Sequence, residues 1–426
     1  MTTIQLPYGQ NVVSLDIPTD HVSEIIHPQP VPASENQLGV VKEAFENPIG
    51  SRRLRDVVKP GQSVAVIVDD FTRKTPTARI LPLILETLHD AGVKEKDIRI
   101  VIALGTHRPM TEEELRDKLG SRVVASYAIV NRPSTSDDDM VFLGTSSNGI
   151  PAWVNRSVAE ADVRIGVGMI TPHMEAGFTG GSKIVLPGVC SSLTVGEFHK
   201  AGIMIPHNQL GNLESPLRRN LESFVAEQVP LDFIVNVVTT HSGEIFQCVA
   251  GHPVSAHRVG VEYCRRVYGA AFRHRYPIVL ANCHPYDVDL WQSTKGAFCG
   301  DLVTEDGGVL ILLTRAPEGN SNYPLVPSCA GQPVAKTMQE VLNGTAADLK
   351  QAVTGIQFAS LRERLRLVLV SDGLAAEDAE SMRIEYAESL QDAVMNAIRS
   401  LPRSRHRGSF AVILCAGTTL PVPIGS

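Results

Sequence analysis

No stretch of the 426-residue sequence approaches the ~18 consecutive apolar residues of a membrane-spanning helix, and its first residues, MTTIQLPYGQ, contain no basic segment leading into an apolar one. The chain is therefore expected in the cytoplasm, with no membrane partner. Long basic runs are also missing, and the formal net charge is −7 with a pI near 6.0. Phosphate backbones are bound by concentrated basic surface, so no nucleic-acid partner is expected. The seven cysteines, at 190, 248, 264, 283, 299, 329 and 415, include no CxxC pair. That removes the usual signature of a zinc or redox centre and leaves reduced, structural thiols. Neither an internal repeat nor a low-complexity segment is visible.

What is present is ordinary globular composition, 43% hydrophobic and 20% charged, over a length that exceeds one compact core. Short apolar, β-rich runs alternate with helical stretches, the pattern of α/β layers built on a largely parallel sheet. Residues 64–68 read as a strand, and residues 80–91 as a helix that Gly92 ends. Residues 98–104 read as the next strand, 112–119 as a charged helix and 163–170 as a glycine-containing strand. Further strands are expected at 233–238, 278–281, 309–313, 367–370 and 410–414. The fold class is two α/β domains with largely parallel sheets and an active-site cleft between them. Residues 269–277, where Gly-Ala-Ala and Arg-His-Arg separate a helical stretch from a fresh strand, suggest a division into 1–270 and 271–426.

Four of the apolar runs end in segments rich in groups that bind anions or move protons. VAVIVDD leads into Asp69, Asp70, Thr72 and Arg73, and IRIVIALG into Thr106, His107 and Arg108. VRIGVGMI leads into His173 and GFTGGSK, and PIVLANC into a loop, HPYDVDLWQSTKG. Ligands of open α/β sheets bind beyond the carboxyl ends of strands, so these four segments are expected to meet at one site. Each also has a plainer reading. Asp70 with Arg73 makes a turn-capping ion pair, and a lone histidine such as His107 or His173 is more often a packing residue. Glu175 reads as a solvent-facing carboxylate or as a partner for extra substrate hydroxyls. His89, His207 and His241 have no comparable context and read as structural.

The segment GFTGGSK at 177–183 invites comparison with a phosphate-cradling loop, but it has Ser-Lys in place of Lys-Ser, and Pro187-Gly188 interrupts the helix such a loop opens. Its glycines still allow a large ligand to approach the backbone beside Lys183. His199 is expected on a helix opened by Ser191 or Ser192 and closed by Gly202. Its spacing matches no standard zinc-ligand set, yet imidazole suits nickel, copper and zinc, and a single His ligand completed by non-protein donors is chemically reasonable.

Taken in order, DDFTRKTP at 69–76, GTHRP at 105–109, HMEAGFTGGSKIVLPG at 173–188, His199 and WQSTKG at 291–296 resemble the signature segments of the nickel-dependent lactate racemase family. The resemblance implies a nickel-pincer nucleotide, a pyridinium mononucleotide with a thioamide and a thiocarboxylate that hold nickel through two sulfurs and a ring carbon. By that resemblance Lys183 carries the thioamide and His199 completes the nickel coordination. His107 and His173 correspond to the acid/base pair, while Arg73, Gln292 and Lys295 correspond to residues holding substrate or cofactor. Asp70, Thr72, Gly180 and Gly181 are expected beside the cofactor. The implied partners are a small 2-hydroxy acid and the proteins that make the cofactor.

The chemistry of inversion fits these roles. Removing the C2 proton of a 2-hydroxy acid places a carbanion beside a carboxylate, whereas hydride transfer passes through a neutral carbonyl. An imidazole with a pKa near ~6.5 moves the hydroxyl proton at neutral pH. Arg73 or Lys295 anchors the carboxylate with charge-assisted hydrogen bonds. One departure concerns the substrate: the lactate-specific enzymes carry a tryptophan in the second domain near the site, and the tryptophans here are Trp153 and Trp291. Lactate, malate, aryl-lactates and aldonates stay open. Two alternatives are a zinc hydrolase using His107, His173 and His199 as ligands, and a non-catalytic nucleotide-binding protein using the glycine segment.

Overall fold

Every side chain of VAVIVD is buried in the strand Val64–Asp69, and this β-branched run forms the middle of a sheet covered on both faces. The computed structural model describes residues 1–133, 139–203, 208–320 and 323–424. Across the first sheet the order is Ile245–Gly251, Phe233–Thr239, Val163–Met169, Val64–Asp69, Ile98–Ala103 and Ala128–Val130. All neighbours are parallel except the first pair. Helix Thr77–Asp90 lays Ile80, Leu81, Ile84, Leu85 and Leu88 into one covering layer. Helix Glu112–Leu119 begins where expected because Thr111 and Glu114 form a reciprocal capping box.

A second six-stranded sheet runs Glu385–Tyr386, Arg366–Val370, Thr304–Leu313, Tyr276–Asn282, Phe410–Ile413 and Val22–Ile26, parallel throughout. The fold class is thus the expected one, α/β with mostly parallel sheets. The sheet memberships depart from a division at residues 270 and 271 in the first twenty-six residues. Val22–Ile26 pairs with Phe410–Ile413, and the hairpin of Thr2–Tyr8 with Asn11–Ile17 buries Leu6, Leu15 and Ile17 against Ile278, Leu280 and Val412 of the second sheet. The period-two pattern of those strands says that one face is buried, not which sheet buries it. Residues 269–272 are also ordered as a strand, Gly269–Phe272, paired with Leu420–Pro423.

Chain direction reverses once in each sheet. In the first, the chain moves from Val64–Asp69 outward to Ile98–Ala103 and Ala128–Val130, then returns to Val163–Met169 on the other side. In the second, it moves outward from Tyr276–Asn282 and returns at Phe410–Ile413. At each reversal the connections leave in opposite directions and open a crevice at the carboxyl ends. Among the described residues no helix is long and apolar enough to cross a membrane.

Leu15 is fully buried in the second core, whereas Val12 on the same strand is 60% exposed. Leu15→Ala is expected to cost about 2–5 kcal/mol and Val12→Ala less than about 0.5 kcal/mol. Denaturant unfolding of both variants tests whether the hairpin is part of that core; equal, small effects would detach it.

Candidate active site

Strand Val163–Met169 delivers its chain into a tight turn whose shape depends on glycine. Gly177 has φ +71°, and a Cβ there would sit 2.2 Å from the Asn212 carbonyl oxygen. Gly180 has φ +78°, and its Cβ would meet Asn236 Oδ1 at 2.8 Å. The turn is fastened by buried polar groups. Thr179 Oγ1 donates to the Met169 carbonyl at 2.8 Å, the Gly181 N–H donates to Asn236 Oδ1 at 2.8 Å, and Arg218 donates to the carbonyls of Ala176 and Phe178. Lys183 follows within the short 3-10 turn Gly181–Ile184.

At the neighbouring strand ends, His107 Nδ1 lies 2.5 Å from Asp70 Oδ2. Asp70 also accepts from the Thr72 hydroxyl at 2.6 Å and the Thr72 N–H at 3.1 Å. Burial opposes ionisation of Asp70, but His107, Arg73 and Thr72 together outweigh it and hold the carboxyl well below the usual range. Burial, aided by Lys350 and Arg73, keeps the His107 pKa below its ordinary value despite Asp70. The neutral imidazole therefore places its proton on Nδ1, facing Asp70, and leaves Nε2 as an acceptor. The capping ion pair of Asp70 with Arg73 is not formed; Arg73 Nη1 donates to Thr72 Oγ1 at 2.9 Å. Lys118 fixes the same loop, 2.6 Å from Asp69 Oδ1 and donating to the Arg73 carbonyl at 2.8 Å.

His173 is set differently. Its Nδ1 accepts from the N–H groups of Glu175 and Ala176 at 3.2 and 3.3 Å, which leaves the ring proton on Nε2. Burial, then the charges of Lys183, Lys295 and Arg73, push it well below the ordinary histidine pKa. His199 lies on helix Ser192–Gly202, capped by Ser191 as expected, with Nδ1 3.2 Å from Glu175 Oε1. Gln357 donates to the same Glu175 oxygen at 3.0 Å. Burial raises the Glu175 pKa, but His199 and Gln357 bring it down to about 2. Glu175 is therefore not a solvent-facing carboxylate; it orients His199.

From the second sheet, WQSTKG is the start of helix Leu290–Val303, not a loop. Asp289 caps that helix, accepting from the Gln292 N–H at 2.6 Å. Its first turns carry Gln292 and Lys295 into the crevice, joined by a 2.5 Å hydrogen bond from Lys295 Nζ to Gln292 Oε1. Lys295 also stands 3.4 Å from the centre of the Tyr286 ring.

One cavity of about 1010 Å³, counting its open mouth, gathers Asp70, Arg73, His107, His173, Gly180, Lys183, His199, Gln292 and Lys295. Two expected residues stand behind it. Thr72 lines an adjoining cavity and braces Asp70, and the Gly181 N–H is spent on Asn236. Among the described residues no group of three or more His, Cys, Asp or Glu side chains is arranged to hold a metal ion. The three-histidine zinc site of a hydrolase is therefore not formed. His89 bonds the Val93 carbonyl and Tyr127, His241 packs on Tyr268, and His207 lies outside the described residues.

With this geometry in view, comparison with known proteins is informative. The lactate racemase N-terminal domain matches residues 8–211 and the lactate racemase C-terminal domain residues 276–414. The lactate racemase of Thermoanaerobacterium thermosaccharolyticum is 32% identical over 325 residues, covering 75% of this chain and 76% of that protein. The chain belongs to the lactate racemase family. The lactate racemase of Lactiplantibacillus plantarum is 29% identical, covering 93% of this chain and 95% of that one. The structure of the T. thermosaccharolyticum lactate racemase apoprotein superposes with a TM-score of 0.87 at 27% identity, over 99% of this chain and 100% of that one. A Thermotoga maritima protein, at 20% identity and a TM-score of 0.69 over 93% and 99% of the two chains, shares the fold. Family membership makes this protein an isomerase of the racemase type.

Within this racemase, sequence reasoning missed Lys350, Asn236, Lys118 and the role of Glu175. Only Glu175, two residues from His173 in a quoted motif, carried a signal. Burial, then Arg73, lower the Lys183 pKa to about 7. Its amine is charged below that pH and neutral above it, unlike an ordinary lysine near ~10.4. In protein made without any covalent group on Lys183, pulse acetylation followed by peptide mass spectrometry is expected to show half-maximal labelling of Lys183 near pH 7. A labelling profile that rises only above pH 9 would contradict the burial argument.

Proposed function

We propose that this protein inverts C2 of a 2-hydroxy acid, using a nickel-pincer nucleotide tethered through Lys183, with His107 and His173 moving the hydroxyl proton. The observation that carries the reading is the pairing, in one cavity, of a neutral-leaning lysine with two differently oriented imidazoles and a third imidazole braced by a carboxylate. The side chains fit the group. Lys183 stands at the end of a glycine turn and, with Gly180, lines the cavity. His199 directs Nδ1 at Glu175, which orients the ring and would leave Nε2 to hold nickel. When bound, the group would supply hydride-acceptor chemistry for the hydrogen on C2.

The remaining work falls to the chain. Arg73 and Lys295 hold the carboxylate by charge-assisted hydrogen bonds, and Gln292 orients the Lys295 ammonium. His107, its Nε2 open and its Nδ1 proton held by Asp70, accepts the hydroxyl proton, and Asp70 stabilises the resulting imidazolium. His173, with Nδ1 engaged by backbone N–H groups, presents Nε2–H as a hydrogen-bond donor to the same oxygen from its own side, and the proton taken up by His107 returns to that oxygen when the hydroxyl is re-formed. Two imidazoles with opposite proton placements thus serve the two configurations of C2. The preorganised cations offset the charge of the oxygen during transfer.

Two experiments test this reading. Intact mass of protein coexpressed with cofactor-making proteins is expected to show an adduct that Lys183→Ala loses and His199→Ala keeps, while His199→Ala loses most of its nickel by elemental analysis. An adduct retained on Lys183→Ala would move the tether elsewhere. In deuterated water, one enantiomer of the substrate is expected to invert with little deuterium at C2, because a hydride parked on carbon does not exchange with solvent, whereas a proton on an imidazole does. Near-complete deuteration of the inverted product would rule the hydride route out.

A further inference from the structure

Lys350 is a cation of the cavity for which the proposed reaction has no task. It reaches in from helix Leu349–Arg364, and its ammonium is surrounded by neutral groups. Thr106 accepts a hydrogen bond from it, Tyr323 Oη lies at 3.5 Å, and the ring centres of Trp291 and Tyr323 lie at 4.0 and 4.6 Å. The two rings are stacked, 4.4 Å between centroids, and form a wall under the ammonium. Among the described residues no carboxylate forms an ion pair with Lys350; Glu175, Asp348 and Asp289 act on it only at longer range. Thr106 directly precedes His107, and His107 lies within electrostatic reach of both Arg73 and Lys350. Both cations line the same cavity as the imidazole, one used for the substrate's carboxylate in the reading above and one unused.

We propose that Lys350 receives a second carboxylate of the substrate, so that the preferred substrate is a 2-hydroxy dicarboxylate. This rests on the 2-hydroxy acid reading and narrows it. An alkyl or aryl tail directed at Lys350 would displace water from the ammonium and return nothing for it, whereas a carboxylate restores a charge-assisted hydrogen bond in a half-buried setting. The stacked rings favour a cation at this place, and the ammonium also lines the cavity that the substrate would enter. The rival anion is the phosphate of the tethered nucleotide, and the experiment separates the two.

Racemic malate, its 4-amide, which has the same shape without the second charge, and lactate are titrated calorimetrically into the cofactor-loaded protein. Malate is expected to bind at least about tenfold tighter than the amide. In Lys350→Met that ratio falls to within about threefold, binding of the amide and lactate changes little, and Lys350→Arg restores much of the preference. The lysine adduct is expected to keep its mass and yield in all variants. Equal binding of malate and the amide to the unaltered protein, or a preference that survives Lys350→Met and Lys350→Gln, would overturn the assignment. Loss of the adduct in both variants with the malate preference intact would give Lys350 to the nucleotide phosphate, which also overturns it. If the malate preference follows Lys350 but no inversion of C2 occurs, the dicarboxylate assignment stands and the racemase reading of substrate fails.

Discussion

Crowding of like charge governs this cavity. Arg73, Lys183, Lys295 and Lys350 line it together, and among the described residues none has a carboxylate of its own. The acids nearby are committed elsewhere: Asp69 to Lys118, Asp70 to His107 and Glu175 to His199. Three consequences follow. The cavity demands anions from its ligands. Burial lowers the pKa values of its lysines, to about 7 for Lys183, where Arg73 adds repulsion, and to about 8 for Lys350, where Glu175, Asp348 and Asp289 oppose it. Burial, with the same field behind it, disfavours charged imidazoles, so the pKa values of His107 and His173 lie below the ordinary histidine value.

The carboxylates therefore orient groups and leave the excess positive charge in place. Asp70 fixes which nitrogen of His107 carries the proton, and Glu175 does the same for His199. His173 lacks such an acid and is oriented by two backbone N–H groups instead. That difference gives two histidines in one cavity opposite proton placements without any difference in residue type. The supporting layer is equally specific: Lys118 braces the Arg73 loop, Asn236 and Arg218 brace the glycine turn, and Asp289 starts the helix that carries Gln292 and Lys295.

Two parallel sheets make this arrangement possible. Each supplies the carboxyl ends of strands at its point of reversal, and the residues of the cavity come from both. Strand ends contribute Asp70, His107 and His173, while helix Leu290–Val303 contributes two adjacent turns from the other side.

Sequence by itself determined the layers, because buried parallel strands such as VAVIVD and IRIVIA are continuous apolar runs whose length and flanking glycines identify them. It also pointed to Arg73, His107, His173 and Lys183, which follow strand ends or lie in short motifs where polar groups are otherwise unexpected, whereas His199, inside a helix, was singled out only by the family resemblance. The start of helix Leu290–Val303 was written in Asp289, whose capping role a loop reading overlooked. Tertiary structure alone decided the rest. The first twenty-six residues went to the second core, Val22–Ile26 as a strand of its sheet and the hairpin packed against it, a partnership that a strand's alternation does not record. Lys350 entered the cavity because helix Leu349–Arg364 packs across the crevice, and a lysine near a helix start is locally indistinguishable from a solvated one. Glu175 turned inward for the same reason: its partners, His199 and Gln357, lie 24 and 182 residues away. Local pattern reports propensity and burial, whereas the direction of a proton and the pairing of a charge depend on neighbours that only chain closure brings within reach.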